Sequence, residues 1–189
     1  MPNFPSINQV VLYGVLKEIE HWTNVTFTCH FKIGISDGGK ETLFECGTDE
    51  SGEQLLRRAR TNHDWVLVVG TVMASSGIFV VVREMNVTPQ PEIPLEIRYV
   101  NLFGRITGVR LFEQTRQFDL EVYPQGGPTA KRQLNALLKC SVPNSDYFAE
   151  TFRVTEIGDW VAVQGKIQSN GFVKASSFIP TKLDDFFSL

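Results

Sequence analysis

Apolar and polar residues alternate along most of this chain with a period of two, the pattern of strands that bury one face. In the second half, Val100, Leu102 and Ile106 alternate with Asn101, Phe103 and Arg105, and Phe118, Leu120 and Val122 alternate with Asp119, Glu121 and Tyr123. The pattern predicts ten strands, near residues 10–19, 25–33, 42–46, 65–73, 78–86, 99–111, 117–123, 135–141, 160–168 and 171–179. Two stretches change period. "SGEQLLRRARTNH" (51–63) is rich in helix formers and sets Leu55, Leu56 and Ala59 on one face. "PNSDYFAETFRVTEIG" (143–158) spaces Phe148 and Phe152 four apart, on one side of a helix capped by Asn144 or Ser145.

The order of these elements repeats, which points to a duplicated unit. "DWVLVVGTV" begins at Asp64 and "DWVAVQGKI" at Asp159. "VLYGVL" (11–16) matches "NLFGRI" (101–106), aligning Gly14 with Gly104, and "TLFEC" (42–46) matches "ALLKC" (136–140). Cys46 precedes Trp65 by 19 positions and Cys140 precedes Trp160 by 20, so the anchors keep their spacing. Between the copies, "TPQPEIP" (88–94) carries three prolines in seven residues and reads as a stiff linker. The organisation expected is a first copy over 1–88, a linker over 89–97, a second copy over 98–181 and a tail over 182–189.

Five strands with a helix between the third and fourth is the element order of an OB-fold. "VNLFGRITGVR" and "GDWVAVQGKIQSNGFVKASSF" resemble the first strand and last hairpin of single-stranded-DNA-binding proteins of the SSB and replication protein A type. They are also similar to telomere-end-binding tandem modules and to anticodon-binding OB domains of tRNA synthetases. The resemblance implies an all-β fold of two tandem OB-fold barrels, five-stranded Greek keys with one short helix between strands 3 and 4. It implies non-enzymatic binding of single-stranded nucleic acid, DNA ahead of RNA. A small barrel coils its first strand sharply, so Gly14 and Gly104 are expected at a bend or bulge.

The two copies differ in what their strands turn outward. The second has an apolar inner set: Val100, Leu102, Ile106, Phe118, Leu120, Val122, Leu138, Cys140, Val161, Val163, Val173 and Ala175. Its outer set mixes cations with aromatics, as a single-strand groove requires for phosphates and bases. The candidate nucleic-acid contacts are Phe103, Arg105, Lys139, Lys166, Phe172 and Lys174, with Lys131 and Arg132 in the loop "YPQGGPTAKRQ" (123–133). Asp119 and Glu121 share that face and repel phosphate unless they lie off its path. The first copy is apolar on both faces. Leu12, Leu16, Phe27, Phe31, Val66, Val68, Phe79 and Val81 are assigned inward, and Val11, Tyr13, Val15, Leu67, Val69, Ile78, Val80 and Val82, with Trp65 beside them, outward. A sheet apolar on both sides is covered on both. The outward set is therefore the candidate protein interface, for a scaffold or oligomerising subunit as the alternative function.

Composition bears on the second copy most. The whole chain has 18 Lys and Arg against 21 Asp and Glu, a net charge of −3, which argues against coating nucleic acid by charge alone. Residues 1–90 hold 7 basic and 10 acidic side chains, and residues 91–180 hold 10 and 9, so a local basic groove belongs to the second copy. The three cysteines, Cys29, Cys46 and Cys140, have no metal-ligand spacing with each other or with His21, His30 and His63, and read as buried reduced thiols of an intracellular protein. No cofactor, metal or membrane partner is expected, and "MPNFPSINQ" lacks the pattern of a signal peptide. "SDGGKET" (36–42) fits a hairpin turn rather than a phosphate loop, since no helix follows it directly. The tail "KLDDFFSL" (182–189) is similar in kind to the acidic, aromatic tails by which bacterial SSB proteins recruit partners. It fits a packed strand extension equally.

Overall fold

The computed structural model describes residues 8–21, 27–37, 39–74, 78–93, 95–112, 115–122, 135–143, 145–153, 155–168 and 170–181. Among the described residues, ten strands and two short helices follow the predicted order: β1 (Asn8–His21), β2 (Cys29–Asp37), β3 (Lys40–Thr48), α1 (Glu50–Leu56), β4 (Trp65–Ala74) and β5 (Ile78–Thr88) come first. β6 (Ile97–Leu111), β7 (Thr115–Val122), β8 (Ala136–Pro143), α2 (Asp146–Arg153), β9 (Trp160–Ile167) and β10 (Phe172–Thr181) complete the chain. The fold is all-β and of the OB type. One compact unit spans Gln9–Tyr99, and the other begins at Val100.

In the first unit the strands follow one another as β2-β3-β5-β4-β1, and β1 also pairs with β2, which closes a barrel with no free edge. The second repeats this as β6-β7-β8-β10-β9, closed by β6 against β9. Registers coincide residue by residue. The parallel ladder pairs Cys46 with Val80 in one barrel and Cys140 with Val173 in the other. The first strand bulges between Leu16 and Glu18 in one, and between Ile106 and Gly108 in the other. The fifth strand carries one extra residue at the same step, Arg83 opposite Val69/Gly70 and Ser176 opposite Gln164/Gly165.

The aligned glycines act by close approach. A Cβ on Gly14 or Gly104 would strike the carbonyl oxygen of Gly34 or Glu121 on the second strand. One on Gly70 or Gly165 would strike that of Val81 or Lys174 on the fifth. The first-strand bulge lies two residues beyond the glycine, so the expectation of a bend at the glycine itself is corrected. The shared aspartate has a backbone role as well. The carbonyl of Asp64 accepts from Leu16 N–H and that of Asp159 from Ile106 N–H, each at 2.9 Å, tying the turn before the Trp strand to the bulge.

All twelve residues assigned to the inside of the second copy are buried. Phe148 and Phe152 of α2 are buried together, and Phe152 joins Phe118 (5.9 Å) and Phe178 (5.6 Å) to plug that barrel. In the first barrel Leu56 of α1 is fully buried, whereas Leu55, expected on the same face, is exposed. The helix starts at Asp49, whose carboxylate accepts from Gly52 N–H at 3.1 Å, and its N-terminal turn carries Glu50 and Glu53. One face assignment is reversed. Ile78 (6% exposed) and Val80 (0%) lie inside the barrel, while Phe79 and Val81 are half-buried on its outer side. The pairing of Val80 with Cys46, itself in the core, fixes that phase.

Candidate nucleic-acid interface

The outer face of β8, β10 and β9 gathers the cations of the second barrel. Cys140, Val173 and Ala175 point inward, so by alternation Lys139, Phe172 and Lys174 share the opposite face. The parallel ladder sets Phe172 beside Lys139 and Lys174 beside Ser141, and the antiparallel ladder sets Lys174 directly opposite Lys166. Like charges opposed across a strand pair destabilise it. Among the described residues no carboxylate lies within ion-pair distance of Lys139, Lys166 or Lys174. The row is therefore a standing cationic surface. Phe172 is half-buried beside it, and Leu137, two residues before Lys139, is 58% exposed on the same side.

The neighbouring face of β6 and β7 is internally neutralised. Arg105 pairs with Glu121 at 3.2 Å, Arg110 with Asp119 at 2.9 Å, and Asn135 Nδ2 donates to Glu121 at 3.1 Å. The two acids that threatened a phosphate path are thus matched, and Arg105 is engaged rather than open. Phe103 departs from expectation more sharply. Its side chain is 6% exposed and its ring stacks on Trp160 at 5.3 Å, so no base reaches its face as it stands. Tyr13 and Trp65 make the same contact in the first barrel at 5.2 Å, which identifies both tryptophans as architectural. Lys131 and Arg132 lie outside the described residues, as do Trp22 and the tail 182–189. Val122 pairs with Ala136, so the loop that holds these two cations leaves β7 and enters β8 three residues before Lys139.

The first barrel lacks the cationic row. Register equivalence puts Glu45, Val81 and buried Thr71 where the second barrel has Lys139, Lys174 and Lys166. An aromatic cluster replaces it. Phe79 packs over Gly47, contacts Phe27 at 5.3 Å and stacks on buried His30 at 5.9 Å. His30 lies between Glu20 (3.4 Å) and Glu45 (3.7 Å). Of the candidate protein-interface residues, Val11, Tyr13, Val15, Leu67, Val69 and Val82 are half-buried, and Ile78 and Val80 are excluded by their place in the core. Tyr13 Oη lies 3.2 Å from Thr88 Oγ1, so its polar end is occupied.

Sequence reasoning missed two exposed features. Leu137 belongs to neither face set in the sequence, although parity with Lys139 places it outward. Leu111 (73% exposed) and Phe112 (53%) end the β6–β7 hairpin beside a groove of 640 Å³ against α2. The cysteines are buried. Burial pushes the Cys29 thiol up to about 11 and those of Cys46 and Cys140 higher still, which removes the nucleophilic thiolate. Among the described residues no cluster of His, Cys, Asp and Glu is placed to hold a metal, and no helix is long and apolar enough to cross a membrane.

No protein-family model and no curated protein matches the sequence. Solved structures do. The chain is similar to the wild-type single-stranded DNA binding protein from Thermus aquaticus, with a TM-score of 0.66 and 14% identity over 93% of each chain. It is similar also to a deletion mutant of that protein, with a TM-score of 0.65 and 16% identity, covering 93% of this chain and 95% of the other. At such identities the likeness is one of fold.

Proposed function

We propose that this chain is a non-enzymatic binder of single-stranded nucleic acid, DNA ahead of RNA, and that its second barrel makes the main contact. The observation that carries the reading is the opposition of Lys166 and Lys174, with Lys139 nearby: none of the three lies within ion-pair distance of a carboxylate among the described residues, and Asp119, opposite Lys139 in the β7–β8 register, is held by Arg110. An anion laid along that row relieves their mutual repulsion, and a polyanion does so at every lysine at once. Phe172 and Leu137 supply apolar surface for bases beside the phosphate track. Lys131 and Arg132, which fall between β7 and β8 in the sequence, are assigned to the same contact. Arg105 contributes orientation through Glu121 rather than direct charge, and Phe103 supports Trp160. The overall fold is also that of a solved single-stranded DNA binding protein.

Fluorescence anisotropy with labelled oligo-dT and oligo-U tests this at low and moderate salt. Tight binding at low salt that weakens steeply as salt rises is expected. Absence of binding at low salt would sink the proposal. The half-buried apolar outer residues of the first barrel, Val11, Tyr13, Val15, Leu67 and Val69, favour a second role as a protein contact. Sedimentation velocity over a range of concentrations checks that role, and a monomer throughout would count against self-association.

A further inference from the structure

We propose that the groove between α2 and the end of the β6–β7 hairpin takes one unpaired nucleobase bearing an exocyclic amino group. Arg116 is fixed where it lines this groove. Its Nη1 donates to the Ala149 carbonyl at 2.8 Å, and its guanidinium carbon lies 5.7 Å from the centre of the Phe152 ring. A guanidinium held in one plane against an aromatic is a ready stacking surface for a flat heterocycle. Leu111 adds an apolar wall, and 640 Å³ accommodates a base with room to spare.

The rim decides which part of a nucleotide fits. Asp146, Glu150 and Arg153 line the groove, and no cation among the described residues lies within ion-pair distance of either acid. Ionised carboxylates only accept hydrogen bonds and repel phosphate. They therefore receive the N–H groups of a base. Guanine, adenine and cytosine carry an exocyclic amino group with two N–H donors, whereas thymine offers a carboxylate only its single ring N3–H. The first barrel has no counterpart: the position of Arg116 is filled by buried Cys29, and Glu53 of α1 is engaged by Arg57 (2.9 Å) and His21 (3.1 Å). The source of the base rests on the nucleic-acid reading above, but occupancy of the groove can be measured without it.

Titration of the labelled protein with deoxyguanosine, deoxycytidine and thymidine, followed by amide shifts, is the first arm. Shifts at Ala149, Glu150 and residues 109–116 with the first two nucleosides, and weaker ones with thymidine, are expected. The second arm compares an all-dT oligonucleotide with one holding a single dG. About a five-fold preference for the latter is expected, the effect of one net hydrogen bond, and the folded double variant Asp146→Asn/Glu150→Gln should abolish it. Equal shifts with all three nucleosides, shifts confined to β8–β10, or a preference unchanged in the double variant would overturn the proposal. Nucleoside shifts in the groove without oligonucleotide binding would leave it standing and sink the lysine-face reading instead.

Discussion

Replacing Lys139, Lys166 and Lys174 together with alanine removes a row of cations, none of which lies within ion-pair distance of an acid among the described residues, although Asp119 faces Lys139 in register. Each phosphate neutralised on a single strand contributes about 0.7 to the slope of log K against log salt, so three such contacts contribute about 2. Between 50 and 200 mM salt, those three contacts alone account for a loss of about 20-fold in affinity. The triple variant should therefore bind oligo-dT more weakly at low salt, and its affinity should fall with salt along a line shallower by about 2. Anisotropy titrations at four or five salt concentrations read the slope directly. The paired arginines supply the control. Arg105→Ala and Arg110→Ala remove two cations but uncover Glu121 and Asp119, their partners at 3.2 and 2.9 Å. That double variant should lose affinity with little change of slope, because the cations it removes are not the ones that displace counterions. An unchanged slope in the triple variant, or an equal change in the control, would refute the assignment of the phosphate track to β8–β10–β9.

Gly70→Ala and Gly165→Ala each press a methyl group onto a fifth-strand carbonyl, so each should lower stability in urea by about 1–3 kcal/mol; tolerance of both would contradict the close approach. The Asp64 carboxyl is held below its ordinary value of 3.8, first by the Arg60 guanidinium at 2.8 Å and then by the Arg60 N–H at 2.8 Å. Its contribution is complete above that ordinary value and is lost as pH falls through the depressed one. Melting temperatures from pH 7 to pH 2 should therefore fall less steeply at the acid end for Asp64→Asn than for the parent, and parallel curves would reject the linkage. The cysteines Cys29, Cys46 and Cys140 should resist a thiol-specific disulfide reagent in the folded protein and all react once it is unfolded. Fast labelling of the native state would show that the barrels open.

The anchors that make the duplication readable are the residues the barrel holds most tightly. Trp65 and Trp160 each pack on a ring, the four aligned glycines each meet a backbone carbonyl, and Cys46 and Cys140 are fully buried. The core of the second barrel is legible because lysines and acids mark its outer phase. β5 offers no such mark: Ile78 to Val82 are all apolar, so alternation has no sign, and the inner and outer sets exchange. Matching Phe79 to Phe172 instead of counting from the strand start supplies the missing phase. The Arg105–Glu121 pair was beyond reach because the two are 16 residues apart and meet only through the β6–β7 register. Phe103 is outward by parity, and only the placement of Trp160 over it reveals that outward is not exposed.

The closing ladders also set an order of assembly in time. β1 can complete its pairing only when β4 exists, since Val10 meets Gly70 and Val15 meets Trp65. Such distant pairings make barrel closure slow compared with forming the β2–β3 hairpin, where Asp37 already faces Lys40. Yet the five ladders β1–β2, β1–β4, β2–β3, β3–β5 and β4–β5, which build the first barrel, join strands within Asn8–Thr88. On the ribosome the first barrel can therefore shut before the lysine-bearing strands of the second have been translated. The growing chain then presents a folded, acidic unit before the cationic face exists.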